Sequence, residues 1–469
     1  MALIAAPDTR RSVVGLIGAL VLPGILLLLP TPAGLTAPGQ RMAAVFLMAL
    51  ILWATEALPI AVTSLLTVLV QPLLGIEDAR AAFTAFMSPV FFFVLSMFFL
   101  AAALTRSGLD RRFALSLLVR AGTDPRRVLL ALMAGTATLS SILSDVAVCG
   151  IFMAVALGIF AKADVRPGSS FGRAVMMGIP IASLIGGVAT PAGSAINVLG
   201  IFFIEEFGKV RVPFLSWTAI GVPMVLGLTP VAWAVLCWWC PPEMKSVGDA
   251  DEMRADLARL GPWSTAEKKV IALFAVLVVL WVLSTWIKSF DVTLVALGGA
   301  LALFLPGMRV MTWEEGQKTV GWDALLMIGG VTSVGAASLK TGLAKWLVTA
   351  VLGGMAGWSP VWVVAAISAF AVVAHLPIPI APVINSVLIP PIVLLAIAAG
   401  QSPALYALPV AFTASCAFLL PLDAVPLLTF ARGYYRTFDM FVPGAVISAV
   451  WVVWMTVLMM VLGPRLGLF

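Results

Sequence analysis

Long uninterrupted apolar runs are the feature that most constrains how this chain can fold. Residues 12–30 and 445–463 are two such runs, and each is about as long as a helix that crosses a bilayer core. A membrane β-barrel would instead alternate apolar and polar residues over segments of about 10 residues. The runs therefore predict membrane-spanning helices.

The composition supports a membrane protein and excludes a soluble enzyme. Hydrophobic residues make up 62% of the 469 positions and charged residues 11%, whereas a soluble domain has about 25% charged residues. The mean hydropathy is +1.10. We expect an all-α polytopic membrane protein with about 11 transmembrane helices, the first of them retained rather than cleaved as a secretion signal.

The distribution of basic residues predicts the orientation in the membrane. If the N-terminus and one alternating set of loops are cytoplasmic, 20 of the 28 Lys and Arg residues lie on that side. This places the N-terminus inside and the C-terminus outside a cell inner (plasma) membrane. The basic residues form no stripe, so nothing indicates a nucleic-acid partner, and the partners expected by residue type are membrane lipid and a small solute.

The two halves of the chain resemble each other on either side of a polar segment at 241–269. The sequence AAALTRSGLDRRF at 101–113 matches AASLKTGLAKW at 336–346, which aligns Gly108 with Gly342. An odd number of predicted crossings separates the two copies. The halves are therefore expected to be inverted relative to each other.

Each half also contains two predicted breaks in its apolar helices. One pair lies at Ser144–Asp145 and at 377–382, and the other at 189–197 and 420–428. A break inside the bilayer frees backbone groups that lipid cannot satisfy, so it persists only where a cavity, ion or substrate uses them. Inverted repeats with paired broken helices are typical of secondary transporters that bind substrate near the membrane midplane.

The chain resembles the divalent anion:sodium symporter family, which lies within the ion transporter superfamily. The resemblance covers nearly the whole chain beyond the first helix. It rests on WATEALPIAVTSLL (53–66), LTRSGLDRRFAL (104–115), LSSILSDVAVCGIFMAVALGI (139–159), IGGVATPAGSAINVLG (185–200), MIGGVTSVGAASLKTGLAKW (327–346) and GYYRTFDM (433–440).

The resemblance implies a homodimer of protomers that each combine a static scaffold domain with a mobile transport domain of the elevator type. It implies two re-entrant hairpins carrying Ser-Asn-Thr motifs, two sodium sites, and di- or tricarboxylate or sulfate substrates. The expected segments are scaffold at 1–121, transport part with the inward hairpin at 122–241, linker and scaffold at 242–355, and transport part with the outward hairpin at 356–469.

The sequence departs from the family motifs. Asp145 and Val146 replace the Asn and Thr of the first motif, and the second motif has only apolar residues, so we expect the first sodium site to be retained and the second to be lost. The substrate-binding candidates that carry over are Ser144, Asp145, Val146, Ser194, Asn197, Pro382, Asp423 and Ala424. The ion-coupling candidates are Ser140, Ser144, Asp145, Gly193, His375 and Asp423, of which Ser140, Ser144, Asp145 and Gly193 are the possible Na⁺ ligands.

Three of these residues are open to more than one interpretation. Asp145, spaced i, i+4 and i+5 with Ser140 and Ser144, fits a Na⁺ ligand, a proton carrier or a helix cap. His375, the single histidine, fits a proton-coupling group or a structural one. Asp423 fits an ion or proton site or a cap.

The leading hypothesis is a symporter that moves a dicarboxylate, related carboxylate, sulfonate or sulfate with Na⁺ as the coupling ion and no other cofactor. The alternative is a proton-coupled or exchange-type anion transporter that uses Asp145, Asp423 and His375. An ion channel and an intramembrane enzyme rank lower, because no helix has a polar stripe and no catalytic motif accompanies the two aspartates.

Overall fold

The structure, a computed structural model, describes residues 9–287, 289–347, 349–350, 353–355 and 357–468. Those ranges contain helices and loops but no β-strand. The helices before the polar segment are α1 (Thr9–Leu28), α2 (Ala37–Thr55), α3 (Ile60–Leu73), α4 (Ala79–Phe86), α5 (Pro89–Ser107), α6 (Leu109–Ala121), α7 (Pro125–Ser140), α8 (Asp145–Lys162), α9 (Ser170–Gly187), α10 (Ala195–Gly208) and α11 (Phe214–Trp239). The following ones are α12 (Ala250–Arg259), α13 (Thr265–Leu283), α14 (Val292–Ala302), α15 (Trp313–Gln317), α16 (Trp322–Lys340), α17 (Leu343–Leu347), α18 (Pro360–Ala374), α19 (Ala381–Ala398), α20 (Pro403–Thr413), α21 (Ala424–Phe430) and α22 (Phe441–Leu462).

Eight helical segments of the described chain are long and apolar enough to cross a membrane. Five shorter apolar helices, among them the hairpin arm α18 and the half-helix α20, supply further hydrophobic segments. The predicted all-α polytopic membrane protein is therefore confirmed.

Gly108 and Gly342 adopt the same left-handed conformation, with φ of +79° and +78°. Gly108 ends α5 before the short helix α6, and Gly342 follows α16 before the short helix α17. Only glycine adopts this conformation without a steric penalty from Cβ. The matching positions and angles support the predicted internal repeat.

A hairpin of two helices follows each copy of this glycine turn. In the first half α7 ends at Ser140 and α8 begins at Asp145, and in the second half α18 ends at Ala374 and α19 begins at Ala381. Both predicted hairpin breaks are thus present. A broken helix comes next in each half, formed by α9 with α10 and by α20 with α21.

The break between α20 and α21 begins earlier than the sequence indicates. Helix α20 ends at Thr413, whereas the predicted break starts at residue 420. No glycine or proline lies between Thr413 and Pro421, so composition gives no signal there. The cause is tertiary: the Trp451 indole on α22 donates to the Thr413 hydroxyl at 3.1 Å, and a Cβ on Gly444 would lie 1.8 Å from the Phe418 carbonyl oxygen.

The four helix pairs pack together in a reciprocal way. In the first half α9 contacts both α7 and α8, and in the second half α20 contacts both α18 and α19. The halves join where α10 contacts α19 and α20 and where α21 contacts α8 and α9. Each half-helix after a break therefore inserts into the opposite half.

The polar segment at 241–269 is attached to the membrane helices through ion pairs. The Lys162 ammonium at the end of α8 lies 2.6 Å from the Asp256 carboxylate and 2.8 Å from that of Glu252, both on α12. Hydrogen bonding from Lys162 lowers the pKa of Asp256. The Arg112 guanidinium on α6 forms a largely buried ion pair with Glu267 and also donates to the Gly261 carbonyl oxygen at 3.1 Å.

We expect Arg112→Ala to reduce the stability of the folded protein by about 1.5–3 kcal/mol, the range for hydrogen bonds to charged groups. The substitution leaves the Glu267 carboxylate buried without its partner. The melting temperature of the purified protein in detergent measures the effect. Arg166→Ala is the matched control, because the Arg166–Asp164 pair is fully exposed, and equal melting of both variants would contradict the prediction.

Candidate ion site at the first helix breaks

Two serine hydroxyls link the first hairpin to α9. The Ser140 hydroxyl donates to the Ser183 carbonyl oxygen at 2.7 Å, and the Ser183 hydroxyl donates to the Asp145 carbonyl oxygen at 2.7 Å. Ser140 and Ser183 are completely buried, and Asp145 is 5% exposed. These bonds hold the hairpin tip against the end of α9.

The Asp145 carboxylate faces the break between α9 and α10. Its Oδ1 accepts from the Val146 backbone N–H at 2.9 Å, and its Oδ2 accepts from the Ser194 hydroxyl at 3.2 Å. Ser194 is the N-cap of α10. Asp145 thus joins two helix N-termini, as expected of a cap, while its oxygens keep lone pairs for a further ligand.

Backbone carbonyl groups converge around Gly193. A Cβ at this position would lie 2.4 Å from the Gly187 carbonyl oxygen, 2.8 Å from that of Ser140 and 3.0 Å from that of Ser141. These carbonyls belong to the C-terminal ends of α7 and α9, where the helix dipole is negative. Glycine at 193 lets these carbonyls approach the backbone more closely than any side chain would allow.

Asn197 supplies a polar atom whose hydrogen-bonding capacity is unused. Its Nδ2 donates to the Gly187 carbonyl oxygen at 2.7 Å and to that of Thr190 at 2.9 Å. Its Oδ1 is buried and has no hydrogen-bond partner among the described residues. This acceptor has lone pairs available for a further ligand, as do the unpartnered amide oxygens of Gln71 and Asn385.

The donor set therefore consists of oxygen atoms: three carbonyls, a carboxylate, a serine hydroxyl and an amide oxygen. Hard cations prefer such ligands, whereas transition metals favour imidazole and thiolate. The described residues contain no cluster of three His, Cys, Asp or Glu side chains that would hold a transition metal. Oxygen donors of these kinds suit a small hard cation such as Na⁺.

Ser144 and Val146 lie on the opposite side of the hairpin tip from this oxygen cluster. Both line a cavity of about 480 Å³ between α8 and α5. Ser144 is the N-cap of α8, and its hydroxyl does not cap the helix. The N-terminus of α8, with its positive dipole, therefore borders a cavity large enough for a small anion. Ser144 thus lines the cavity, and its role as a Na⁺ ligand stays a prediction.

An ion pair lines the same cavity. The Arg106 guanidinium lies 2.6 Å from the Glu315 carboxylate, and both side chains are partly exposed. The Glu315 carboxylate compensates the guanidinium, so the pair adds no net charge to the cavity near the hairpin tip.

The corresponding tip in the second half is apolar. Ala381 and Pro382 are buried, and Ala381 packs with Ile196, Ala374 and Ala414. Residues 380–382 contain no hydroxyl or amide group, and the loss of a second sodium site stays a prediction.

Asp423 and Ala424 lie at the second broken helix. The Asp423 carboxylate caps α21 by accepting from the Val425 backbone N–H at 3.1 Å, and Ala424 is exposed beside it. The Cys149 thiol on α8 lies 3.5 Å from the Val425 carbonyl oxygen. The structure therefore brings Asp423 near Asp145, with which it interacts electrostatically.

The sequence analysis missed four contributors. Ser183 is a lone hydroxyl within the apolar run of α9, four residues before Gly187, which is the only signal available for it. Ser141 and Gly187 contribute through their backbone carbonyls, which composition does not reveal. Arg106 lies within the repeat motif, but nothing in the sequence places it at the cavity.

Comparison with known proteins identifies the family. Residues 10–469 match the family described as the sodium:sulfate symporter transmembrane region. The chain belongs to this family. The predicted resemblance is thereby confirmed, and so is the assignment to multi-pass membrane transport proteins rather than enzymes.

Individual relatives of this sodium:sulfate symporter family member are similar along most of their length. A sodium-dependent dicarboxylate transporter of Staphylococcus saprophyticus is 30% identical over 438 residues, which cover 88% of this chain and 84% of that protein. The Staphylococcus aureus transporter of the same name is 28% identical over 90% of this chain and 85% of its own length. A membrane protein of Cupriavidus necator is 29% identical over 87% of this chain and 84% of its own.

Two solved structures share the fold. The MtrF efflux pump of Neisseria gonorrhoeae has a TM-score of 0.55 at 13% identity and covers 98% of this chain and 96% of its own. The YdaH transporter of Alcanivorax borkumensis has a TM-score of 0.50 at 15% identity and covers 98% of this chain and 99% of its own. At such identities the likeness concerns the fold alone.

We expect Gly193→Ala to abolish the stabilisation of the purified protein by Na⁺. The added methyl group would displace the carbonyls of Gly187, Ser140 and Ser141 from the space between them. The measurement is the difference in melting temperature between NaCl and choline chloride. Gly150→Ala is the control, because a Cβ there meets nothing within 4 Å. If NaCl raised the melting temperature of Gly193→Ala protein as much as that of the wild-type protein, Gly193 would not belong to a Na⁺ site.

Proposed function

We propose that this protein is a symporter that moves a small anion across the inner membrane with Na⁺ bound at the first pair of helix breaks. The observation that carries the proposal is the convergence of the Gly187, Ser140 and Ser141 carbonyls around Gly193 next to the unpartnered Oδ1 of Asn197. The sodium-dependent relatives support Na⁺ as the coupling ion.

The proposed Na⁺ ligands include Asp145 in place of a neutral amide. A carboxylate attracts Na⁺ more strongly than an amide does, but it also repels an anion on the other side of the hairpin tip. Binding of Na⁺ neutralises this repulsion and so raises the affinity for the anion. Electrostatic linkage between the two sites is reciprocal, which couples the two solutes.

The proposed anion site is the cavity beside the N-terminus of α8. Ser144 and Val146 line it, and the N-terminal dipole of α8 favours negative charge. Dicarboxylates, related carboxylates, sulfonates and sulfate all carry the negative charge that this dipole favours. The other substrate candidates from the sequence do not line this cavity, and their contact with the anion stays a prediction: Ser194, Asn197, Pro382, Asp423 and Ala424.

The proposed architecture follows the family. It comprises a homodimer with cytoplasmic N-termini, whose transport segments at 122–241 and 356–469 move as an elevator against the scaffold segments at 1–121 and 242–355. The exposed apolar side chains of α1, which include Leu20 and Leu28, supply a surface for lipid or a second protomer.

The alternative is a proton-coupled or exchange-type transporter that uses Asp145, Asp423 and His375. Its supporting observation is the burial of all three side chains, which are between 5% and 8% exposed. In this alternative a pH gradient drives uptake in the complete absence of Na⁺.

Asp145→Asn tests the proposal in proteoliposomes. We expect the Na⁺ concentration for half-maximal uptake to rise about tenfold or more, which corresponds to about 1.4 kcal/mol of lost binding free energy. The panel of labelled anions includes succinate, sulfate and taurine, each with an imposed Na⁺ gradient and, separately, an imposed pH gradient.

Asp164→Asn is the matched control. Asp164 is exposed and has a φ of +49°, a conformation that asparagine tolerates. Na⁺ dependence that is unchanged in Asp145→Asn protein, or uptake driven by the pH gradient alone, would overturn the proposal; the second result would favour the alternative.

A further inference from the structure

His375 makes two contacts that a neutral imidazole cannot satisfy together. Its Nδ1 lies 3.0 Å from the Ala371 carbonyl oxygen, and its Nε2 lies 3.0 Å from the Ala414 carbonyl oxygen. Carbonyl oxygens only accept hydrogen bonds, whereas a neutral imidazole carries a single N–H. In a neutral ring, the nitrogen without a proton would point its lone pair at a carbonyl lone pair, which is repulsive. An imidazolium carries a proton on both nitrogens and donates to both oxygens.

The position of the ring also favours a cation. His375 is the C-cap of α18, and Ala414 is the C-cap of α20. The negative ends of two helix dipoles therefore meet at the imidazole ring. The ring is buried with 5% exposure, so a charged ring loses its hydration and depends on these dipoles, the two carbonyl oxygens and a counter-charge to offset that cost.

The inverted repeat places this ring where the first half places its oxygen cluster. Helices α7 and α9 of the first half correspond to α18 and α20 of the second. The C-terminal ends of α7 and α9 supply the carbonyls around Gly193, and those of α18 and α20 supply the carbonyls that contact His375. The ends of α7 and α9 thus face the proposed ion site, whereas the corresponding ends of α18 and α20 face the His375 side chain.

Asp423 is the counter-charge available to the ring. Both side chains line a cavity of about 10 Å³ and interact electrostatically. A cavity of this size has room for about one water molecule and not for a hydrated ion. The imidazole and the Asp423 side chain thus leave little free volume at these helix ends for an additional ion.

Few other titratable groups surround the ring. Helices α19, α20 and α22 contact α18 and contain no Asp, Glu, Lys or Arg. Their titratable side chain is Tyr406 on α20, and Cys416 in the adjoining break donates to the Ser448 hydroxyl at 3.5 Å. Asp145 on α8 interacts electrostatically with Asp423.

We propose that His375 is a fixed imidazolium that, paired with Asp423, takes the place of a second mobile cation in the second half. The charge state of the ring is independent of the proposed function. Its consequence for coupling, one Na⁺ per cycle instead of two, rests on the proposed function.

Nitrogen-15 NMR of the full-length protein in lipid tests the charge state directly. The chain has one histidine, so protein labelled with ¹⁵N-histidine and purified without a histidine tag gives signals from His375 alone. We expect two protonated ring nitrogens with similar shifts at neutral pH. One protonated and one pyridine-type nitrogen would overturn the proposal.

Asp423→Asn tests the counter-charge by the same measurement. Removal of the carboxylate should lower the pH at which the ring loses its second proton by about one unit or more, since one unit corresponds to about 1.4 kcal/mol of interaction between the charges. Asp164→Asn, with its exposed carboxylate, should leave the midpoint unchanged. If the pH at which the ring loses its second proton were unchanged in Asp423→Asn protein, Asp423 would not be the counter-charge of His375.

The outcomes separate this proposal from the symport proposal. A neutral ring together with altered Na⁺ dependence in Asp145→Asn protein would refute the fixed imidazolium and leave Na⁺ symport intact. An imidazolium together with unchanged Na⁺ dependence would refute Na⁺ binding at Asp145 and leave the second-half assignment standing.

Discussion

The need to satisfy backbone groups freed inside a bilayer governs this structure. Lipid offers no hydrogen bonds, so each helix break requires side chains or a ligand to replace the lost backbone partners. In the first half the Thr190 hydroxyl donates to the Ser141 carbonyl oxygen and Asn197 donates to that of Gly187. In the second half the His375 ring contacts the carbonyls of Ala371 and Ala414. The breaks are therefore where polar chemistry is concentrated within an apolar chain.

The two halves solve this same problem with different residues. The first half surrounds its freed carbonyls with further oxygen atoms, among them the unpartnered Oδ1 of Asn197, which suits a cation that enters and leaves. An unpartnered amide oxygen, that of Asn385, also lies on α19 of the second half. The second half has an apolar tip and places an imidazole at the equivalent helix ends. Each half has one carboxylate at its helix breaks: Asp145 at a hairpin tip and Asp423 at a broken helix. Repetition of the backbone thus does not require repetition of the ion site.

The features that sequence predicts well are those encoded by local chemistry. Gly108 and Gly342 occur where only glycine adopts the required backbone conformation, and the hairpin breaks coincide with polar or proline-rich interruptions of apolar runs. The early end of α20 at Thr413 was not predicted, because contacts from α22 rather than local residues cause it. Ser183 was missed for a similar reason, since a single serine in an apolar helix acquires its role only when the hairpin packs against it. The approach of Asp145 to Asp423 likewise depends on how the halves interlock.

The central claim is that one mobile Na⁺, bound at the first pair of breaks, accompanies each anion. The most direct test measures the anion gradient that a fixed Na⁺ gradient sustains across proteoliposomes clamped at zero voltage. With one Na⁺ per anion, a tenfold Na⁺ gradient balances an anion gradient of about tenfold, because each tenfold ratio is worth about 1.4 kcal/mol. A balance near a hundredfold would mean two Na⁺ per anion and would contradict the account.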